Sequence, residues 1–441
     1  MKFSNKLAAT AVASVVVAPV FATNGMNLEG YGSKATAMGG AGMAYDTGNS
    51  AVMNNPATLS MLQSGTARFG LGIRNLRPDV TSTGSSNTHS DGTSYLMPSI
   101  SYIRKSGKIS YGAAMLAQGG MGADYDATSE LTLGSGDDVR SELGVGRLMF
   151  PLSFQVNDRL AVAGSFDLAW AMLDLKMAVP TSNLSSMVTG FDAGWGPVLG
   201  GLGGLDWGRF DFSDSNDLTG KAKGYGLAGK LGFTYKLTDA LTVGASYHTE
   251  TNLSDLETSN NGSSLTAGNT GGGALAGFTG KISVKDFQWP SVLGIGLAFQ
   301  ANDRLMLAAD VKRINWSDVM ESLKMTFTDA TLGDLDVEMQ QDWDNQTVLN
   351  LGFEYQYSPK LALRAGLNIS DNPVPNTNLN YLFPAIIENH VTAGFGYKIN
   401  DNNNVGFSLT YAPEVKETSA GGITTKHSQL NWSLNYVYTF K

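Results

Sequence analysis

The chain has 441 residues, with 39 Asp and Glu against 30 Lys and Arg, 53 Gly and no Cys. The net charge of −9 argues against a nucleic-acid partner, because such a partner requires a basic surface. Without cysteine, the chain can form no disulfide, no zinc–thiolate site and no cysteine nucleophile. Aromatic residues make up 10% of the chain and charged residues only 16%, which argues against a disordered protein.

The first 22 residues have the features of a secretory signal peptide. Two lysines precede an apolar stretch at residues 7–17, and Ala22 ends a Val-Phe-Ala cleavage site. The stretch is too short for a membrane helix, and Pro19 interrupts it. No later stretch offers the ~20 apolar residues that a membrane helix needs. We therefore expect a mature chain that is periplasmic, secreted or embedded in an outer membrane.

Apolar and polar residues alternate with a period of two along most of the remaining chain, which indicates β-strands with one apolar face. In the last such stretch the apolar positions are Leu430, Trp432, Leu434, Tyr436, Tyr438 and Phe440. A soluble β-sandwich alternates too, but two further features favour a membrane barrel. The apolar faces end in aromatic residues, as the girdles of such a barrel do, and the connections alternate between short and long.

Six short turns and seven long loops divide the chain into fourteen strands, with both termini on the short-turn side. The short turns are centred on residues 106, 158, 239, 303, 359 and 402. The long loops cover residues 79–94, 121–144, 178–219, 256–280, 315–342, 371–386 and 414–427. We predict strands that begin near residues 66, 95, 109, 145, 160, 220, 241, 281, 305, 343, 361, 387, 404 and 428. The predicted fold is all-β: residues 65–441 form a transmembrane antiparallel β-barrel of about 14 strands.

Residues 23–64, here called the hatch, do not follow the alternating pattern. They are rich in glycine and carry five methionines, at positions 26, 38, 43, 53 and 61. A barrel of this size encloses a wide lumen unless something fills it. The alternative is a flexible linker, but linkers rarely carry so many Met, Leu and Tyr side chains. We expect the hatch to plug the lumen.

Several short motifs stand at fixed places along the chain. The hatch contains a small-residue run at 39–44 (GGAGMA) and then Asn-Pro-Ala at 55–57, and three more motifs follow at residues 314–317 (INWS), 363–366 (LRAG) and 371–375 (DNPVP). In these motifs and their order, the chain resembles the FadL family of outer-membrane transporters for fatty acids and other hydrophobic compounds. The chain departs from the pattern by ending on Phe440-Lys441, which bears on recognition by the outer-membrane assembly machinery.

The resemblance implies passive uptake of hydrophobic small molecules, with long-chain fatty acids as the first expectation and aromatic hydrocarbons as the alternative. A ligand would land among the extracellular loops, enter the lumen, and leave sideways into the membrane when the hatch moves. The implied gating residues are Gly39, Gly40, Gly42, Asn55, Pro56 and Ala57. Outer-membrane lipid and lipopolysaccharide would surround a monomeric chain, which needs no cofactor.

The loop at residues 187–212 is unusually apolar for an exposed connection, and an exposed apolar patch usually marks an interaction site. It predicts a surface for the first capture of a ligand, formed by Phe191, Trp195, Val198, Leu199, Leu202, Leu205 and Trp207. The alternative is a structural lid over the barrel mouth. Alternate residues of a strand face opposite sides of the wall, a rule that we call strand parity. By this rule Arg147 and Lys312 point into the lumen. They could meet a ligand carboxylate, or they could pair with Asp310, Glu354 or Asp167.

Other functions find less support in the sequence. A hydrolase would need a Ser/His pair, but the chain has only four His and no G-x-S-x-G motif. The acidic loop residues match no Ca²⁺ loop, so we expect no metal. A diffusion porin, or a surface receptor that acts as an adhesin or phage receptor, remains an alternative to hydrophobic transport.

Overall fold

The computed structural model describes residues 24–216 and 219–440, so the predicted signal peptide (residues 1–22) lies outside the described residues. The first twelve strands are β1 (Ala67–Leu76), β2 (Pro78–Thr83), β3 (Asn87–His89), β4 (Tyr95–Ser106), β5 (Ile109–Tyr125), β6 (Val139–Gln155), β7 (Leu160–Pro180), β8 (Val188–Phe191), β9 (Trp207–Phe212), β10 (Ala222–Lys236), β11 (Leu241–His248) and β12 (Asn252–Leu253). The others are β13 (Leu256–Glu257), β14 (Ser263–Gly268), β15 (Ala274–Lys285), β16 (Val292–Asn302), β17 (Leu305–Ile314), β18 (Ser322–Asp329), β19 (Gly333–Gln340), β20 (Gln346–Ser358), β21 (Leu361–Ser370), β22 (Asn389–Lys398), β23 (Asn403–Thr418) and β24 (Thr424–Phe440).

Helices are few and short. The α-helices are α1 (Gly32–Thr36), α2 (Thr181–Met187) and α3 (Trp195–Leu202). Single 3-10 turns cover Gly48–Val52, Pro56–Met61, Glu130–Thr132 and Trp316–Asp318. Within the described ranges, no helix combines the length and the apolar character that crossing a membrane demands.

The sheet closes on itself into an antiparallel barrel. β1 pairs with β24 on one side and with β4 on the other, which completes the closure. The closed ring consists of β1, β4, β5, β6, β7, β10, β11, β16, β17, β20, β21, β22, β23 and β24. The described residues contain 24 strands, which differs from the predicted fourteen because the long connections form further strands of their own.

The alternating residues take the two faces of the ring as predicted. In β6, Phe150, Leu152 and Phe154 are 42%, 58% and 43% exposed, whereas Arg147 and Met149, which precede them at the alternate positions, are fully buried. The exposed apolar face points away from the lumen, as in a barrel whose outer surface meets lipid. The short turns also fall where they were expected, for example between the end of β4 and the start of β5.

One predicted ring strand is wrong. The strand expected near residue 281 falls in β15, which pairs with β14 and β18 and lies outside the ring. The ring strand is β16, which pairs with β11 and β17. Asp286 has a φ of 53° and Pro290 lacks an N–H, so the chain breaks between the two strands. Alternation identifies both segments as strands but cannot say which one joins the ring.

The long connections pack together at the end of the ring opposite to the termini. β9 continues the sheet from β7, and β14, β15, β18 and β19 extend it through successive antiparallel pairs. A large apolar core forms among these connections and includes Trp195, Phe210, Phe212 and Phe327. This core covers the open end of the barrel, and the hatch lies below it.

Candidate functional site

The described residues of the hatch lie within the ring and contact strands from all around it. Ser33 N–H donates to Asn435 Oδ1 of β24 at 2.6 Å. On another part of the wall, Asn55 Nδ2 donates to the carbonyl of Phe233 in β10 at 3.0 Å. Trp289 Nε1, from a loop, donates to Asn27 Oδ1 at 3.0 Å. Side chains from distant strands therefore fix one segment in the lumen.

A buried ion pair fixes the start of the hatch. Glu29 is fully buried, and its carboxylate lies 2.5 Å from the guanidinium of Arg74 in β1. It also accepts a hydrogen bond of 2.8 Å from Thr410 Oγ1 of β23. Burial would raise the pKa of Glu29, but the charge of Arg74 and, to a smaller extent, His390 outweigh it and hold the pKa at about 2. The carboxylate is therefore ionised and joins the hatch to two neighbouring regions of the wall.

Two glycines of the hatch allow a close approach that no other residue permits. Gly39 and Gly40 have φ angles of 68° and 85°, in the left-handed region. A Cβ at Gly40 would lie 1.8 Å from the carbonyl oxygen of Glu29, and one at Gly39 would lie 2.2 Å from that of Leu367 in β21. The small-residue run thus lets the hatch backbone touch both itself and the wall.

Charged side chains of β17 bind the backbone of the same run. Asp310 Oδ2 accepts the N–H of Gly42 at 2.6 Å and that of Met43 at 3.2 Å. Lys312 Nζ donates to the carbonyl of Gly40 at 2.8 Å. Lys312 points into the lumen as parity predicted, but in this structure its partner is the hatch. A role for Lys312 in ligand binding stays a prediction.

The Asn-Pro-Ala motif forms a second attachment. Asn55 Oδ1 accepts the N–H of Ala57 at 3.1 Å and caps the 3-10 turn that Pro56 begins. Its Nδ2 bridges two carbonyls, that of Met43 at 2.7 Å and that of Phe233 in β10. The predicted gating residues are therefore contact points between the hatch and the wall, and their role in gating stays a prediction.

Arg147 lies in a buried cluster of polar side chains. It donates to the side chains of Gln118 and Thr251, and its Nη1 lies 3.9 Å from Asp167 Oδ2. Asp167 also contacts His248 Nε2 at 2.7 Å. The structural ion pair that the sequence left open is thus present, and the binding of a ligand carboxylate by Arg147 stays a prediction.

The wall is incomplete between β4 and β5. These strands pair only from Ile100 opposite Met115 down to the turn. Beyond this point, residues 96–99 of β4 and 116–125 of β5 form no strand pairs with each other in the part of the chain that the structure describes. The pairing of β5 with β6 is shifted between Ala117 and Gly119, so Gln118 forms a bulge. The wall of the ring therefore has a gap between these two strands.

The hatch takes the place of the missing strand partner at this gap. Asn27 forms an antiparallel bridge with Gly119, and Gly120 N–H donates to the carbonyl of Met26 at 3.1 Å. The hydroxyl of Tyr31 donates to the carbonyl of Gln118 at 2.8 Å. The edge of β5 is therefore satisfied by the hatch where β4 does not reach it.

Two cavities adjoin this gap, one on each side of Leu28. The outer cavity, about 370 Å³, lies toward the loops, and its lining includes Met26, Met97, Met115, Leu116, Leu143 and Trp170. No Lys or Arg occurs among the described residues that line it. The inner cavity, about 410 Å³, lies toward the short turns, and its basic lining residues are Lys34, Arg74, Lys360, Arg364 and Lys398.

The predicted capture surface is largely buried, which corrects that expectation for three of its residues. Trp195, Leu202 and Trp207 are no more than 5% exposed. The Trp195 ring packs against Phe278 and Phe327, with centroids 5.1 Å and 5.8 Å apart. These side chains face inward because the loop folds over an apolar core, as the lid alternative described.

The other four residues of that surface differ in their exposure. Val198, Leu199 and Leu205 are partly buried and pack against the same core. Phe191 is 53% exposed and is the most exposed member of the set.

The residues that shape the gap, above all Gln118 and Asn27, were not predicted from the sequence. A signal was present in β5, where the stretch 117–122 (AQGGMG) interrupts the alternation. Glycine inside a strand marks a bulge or a close approach of another backbone. Here both occur, since the bulge at Gln118 lies beside the bridge between Asn27 and Gly119.

Comparison with known proteins finds one family. The family model described as "Outer membrane protein transport protein (OMPP1/FadL/TodX)" matches residues 9–436. The crystal structure of the toluene transporter TodX of P. putida is 32% identical, with a TM-score of 0.84 over 94% of this chain and 99% of that one. The toluene transporter TbuX of Ralstonia pickettii is 29% identical, with a TM-score of 0.78 over 94% of this chain and 100% of that one.

One curated relative matches a shorter region. It is an uncharacterised protein of Chlorobium limicola, named for its position in the 5′ region of a phosphoenolpyruvate carboxykinase gene. It is 63% identical over 79 residues, which cover 17% of this chain and 39% of that protein. The matched part therefore spans less than half of the relative.

Proposed function

The chain belongs to the OMPP1/FadL/TodX family of outer-membrane transport proteins, and from this premise we propose that it imports neutral hydrophobic molecules of the size of a monoaromatic hydrocarbon. It is an outer-membrane β-barrel, and its family consists of transport channels rather than enzymes. The proposal concerns the substrate and the route. In it, the ligand enters the outer cavity and leaves through the gap between β4 and β5.

The chemical character of the outer cavity carries this proposal. Its volume of about 370 Å³ lies within the ~300–1,000 Å³ of typical small-molecule sites. Its lining is mainly apolar, and burial of a ligand's apolar surface there contributes about 25 cal/mol per Å². The cavity adjoins the gap in the wall through Met97, Met115 and Leu116, so a bound molecule lies next to the membrane side.

A fatty-acid carboxylate fits this cavity less well than a neutral molecule does. A buried carboxylate is costly unless a cation pairs with it, and the cavity lining offers neither Lys nor Arg among its described residues. Arg147 and Lys312 instead contact Asp167 and the hatch. The names of the relatives TodX and TbuX, both toluene transporters, support the same substrate class.

We propose that the hatch controls the route. Met26 and Asn27 bind the free edge of β5, and Leu28 separates the two cavities. A shift of this part of the hatch would uncover the gap. Such a change requires a ligand that binds the shifted state more tightly than the docked one.

Uptake measurements in cells test the proposal. Labelled toluene and a labelled long-chain fatty acid are offered to cells with and without this chain, in a strain that lacks its own family members. We expect the chain to accelerate the entry of toluene and to leave that of the fatty acid unchanged. Leu143→Trp, which fills the outer cavity, is expected to reduce toluene entry to the background.

Leu168→Trp is the matched control for that variant, because Leu168 lies on the outer face of β7 and is 40% exposed. It is expected to behave as the wild type does. Entry of the fatty acid alone would favour the carboxylate ligand. No effect on either compound would contradict hydrophobic transport and return the function to a porin or a surface receptor.

A further inference from the structure

The outer cavity extends through the wall onto the outer surface of the barrel. Leu143 and Val145 of β6 face the lumen with Arg147, and both line the cavity. Gly144 and Gly146 lie between them on the opposite face, and they line the same cavity. A single space therefore has walls on both sides of the sheet, which is possible because the sheet is open between β4 and β5.

Trp170 stands at the membrane side of this space. It belongs to β7, on the same outward face as Phe166 and Leu168, which are 50% and 40% exposed. Its indole ring lies on Gly146 of the neighbouring strand. A Cβ added at Gly146 would come within 2.1 Å of Trp170 Cζ2 and 2.8 Å of its Nε1.

This position places the ring beside the bulge of β5. Gly146, under the ring, pairs with Ala117, the residue before Gln118. Two pairs further along, Gly144 has open space where a side chain would stand, with no other atom within 4 Å. The ring thus borders a shallow groove that leads from the gap toward the lipid. The absence of side chains at Gly144 and Gly146 keeps this groove open.

We propose that Trp170 sets the width of the membrane-side exit and thereby selects ligands by size. The inference rests on the proposed function, and the occupant of the groove is the same neutral hydrophobic molecule that occupies the outer cavity. A flat aromatic ligand can stack on the indole, and aromatic pairs gain energy beyond their area of burial. A bulkier ligand must displace the ring, and Gly146 limits how far the ring can move toward the wall.

The competing role of Trp170 is that of a membrane-interface anchor, as lipid-facing tryptophans often have. The chain offers a matched control for this role in Trp432 of β24. Trp432 also lies on an outward face, between Leu430 and Leu434, which are 43% and 44% exposed. It pairs with Asn75 of β1, which in turn pairs with Leu96 of β4. It does not line either large cavity.

The test compares the uptake of toluene and of naphthalene, whose two fused rings are wider. Trp170→Ala is expected to raise the naphthalene-to-toluene uptake ratio several-fold, and Trp170→Phe to give a smaller rise. Trp432→Ala is expected to leave the ratio at the wild-type value. For each variant, the amount of folded barrel is measured by its heat-dependent migration in gels.

A second pair of variants consists of a side chain added beneath the Trp170 ring and a matched control. Gly146→Leu pushes the ring toward the exit and is expected to slow both compounds. Gly164→Leu is its control, because a Cβ added at Gly164 in β7 would meet only two atoms within 4 Å, the nearer at 3.8 Å. It is expected to have no effect.

Equal effects of Trp170→Ala and Trp432→Ala on the ratio would overturn the selection role and leave an anchor. So would a Gly146→Leu variant that transports both compounds at the wild-type rate. If the wild type itself accelerates neither compound, the proposed function fails and this inference fails with it. Uptake by the variants thus tests the role of Trp170 at the exit, and uptake by the wild type tests the proposed transport.

Discussion

At the scale of single residues, several charged side chains of the wall bind the hatch, among them Lys312, which parity pointed into the lumen. Lys312 and Asp310 bind hatch backbone, and Arg74 pairs with Glu29. Parity could predict which side of the wall a side chain takes, because that depends on the strand alone. It could not predict the partner, because the hatch has no periodicity from which its path could be read.

The Glu29–Arg74 pair predicts that acid loosens the hatch. The pKa of docked Glu29 is about 2, below its ordinary value of 4.5. The docked state therefore binds fewer protons than the released one. Its stabilisation is complete above pH 4.5 and is lost as the pH falls toward 2. Hydrogen exchange of the hatch amides, corrected for the intrinsic rate, is expected to accelerate over this interval.

Glu29→Gln isolates this carboxylate from the other acids. The variant is expected to exchange its hatch amides faster than the wild type at pH 6, because an uncharged amide pairs less strongly with Arg74. Between pH 4.5 and 2, its exchange should change less than that of the wild type. An identical pH profile in both proteins would show that another group is responsible.

At the scale of elements, the bulge in β5 shapes the gap. It inserts Gln118 between two paired segments, and such an insertion bends a strand and increases its twist. Deleting Gln118 removes the extra residue, so β5 can continue in register beside β4. We expect this deletion to reduce toluene uptake to the level of cells without the chain, while the barrel still folds.

Gln118→Ala is the control for that deletion. It removes the side chain that Arg147 contacts but keeps the backbone bulge and the carbonyl that accepts from Tyr31. It is expected to retain most of the uptake. If the substitution abolished uptake as fully as the deletion, the side-chain contact would be responsible and not the bulge.

The elements also show where sequence reading is reliable. Short turns and outward faces were predicted correctly because each depends on a few neighbouring residues. β15 was mistaken for the ring strand β16 because both alternate, and ring membership depends on contacts with distant strands. The gap was missed although the stretch 117–122 interrupts the alternation of β5, because the end of the pairing between β4 and β5 beyond Ile100 also depends on distant contacts.

At the scale of the whole molecule, the ring of strands and the hatch inside it have separate roles. A closed barrel of this size would enclose an aqueous channel if it were empty. Replacing residues 24–62 with a short Gly/Ser linker is therefore expected to leave a folded barrel that admits small polar solutes. Entry of a hydrophilic antibiotic into cells measures this permeability. Unchanged permeability would mean that the loops alone block the lumen.

The backbone groups that border the gap between β4 and β5 limit how long the gap can stay open. Hydrocarbon offers no water to a bare strand edge, and each unsatisfied backbone group there costs several kcal/mol. The hatch satisfies this edge at Gly119 and Gly120, and Pro98 on the opposite side brings no N–H to it. A neutral hydrocarbon cannot replace those hydrogen bonds, so an open edge is short-lived. On the proposed route, the membrane lipid itself would therefore drive closure behind each departing molecule.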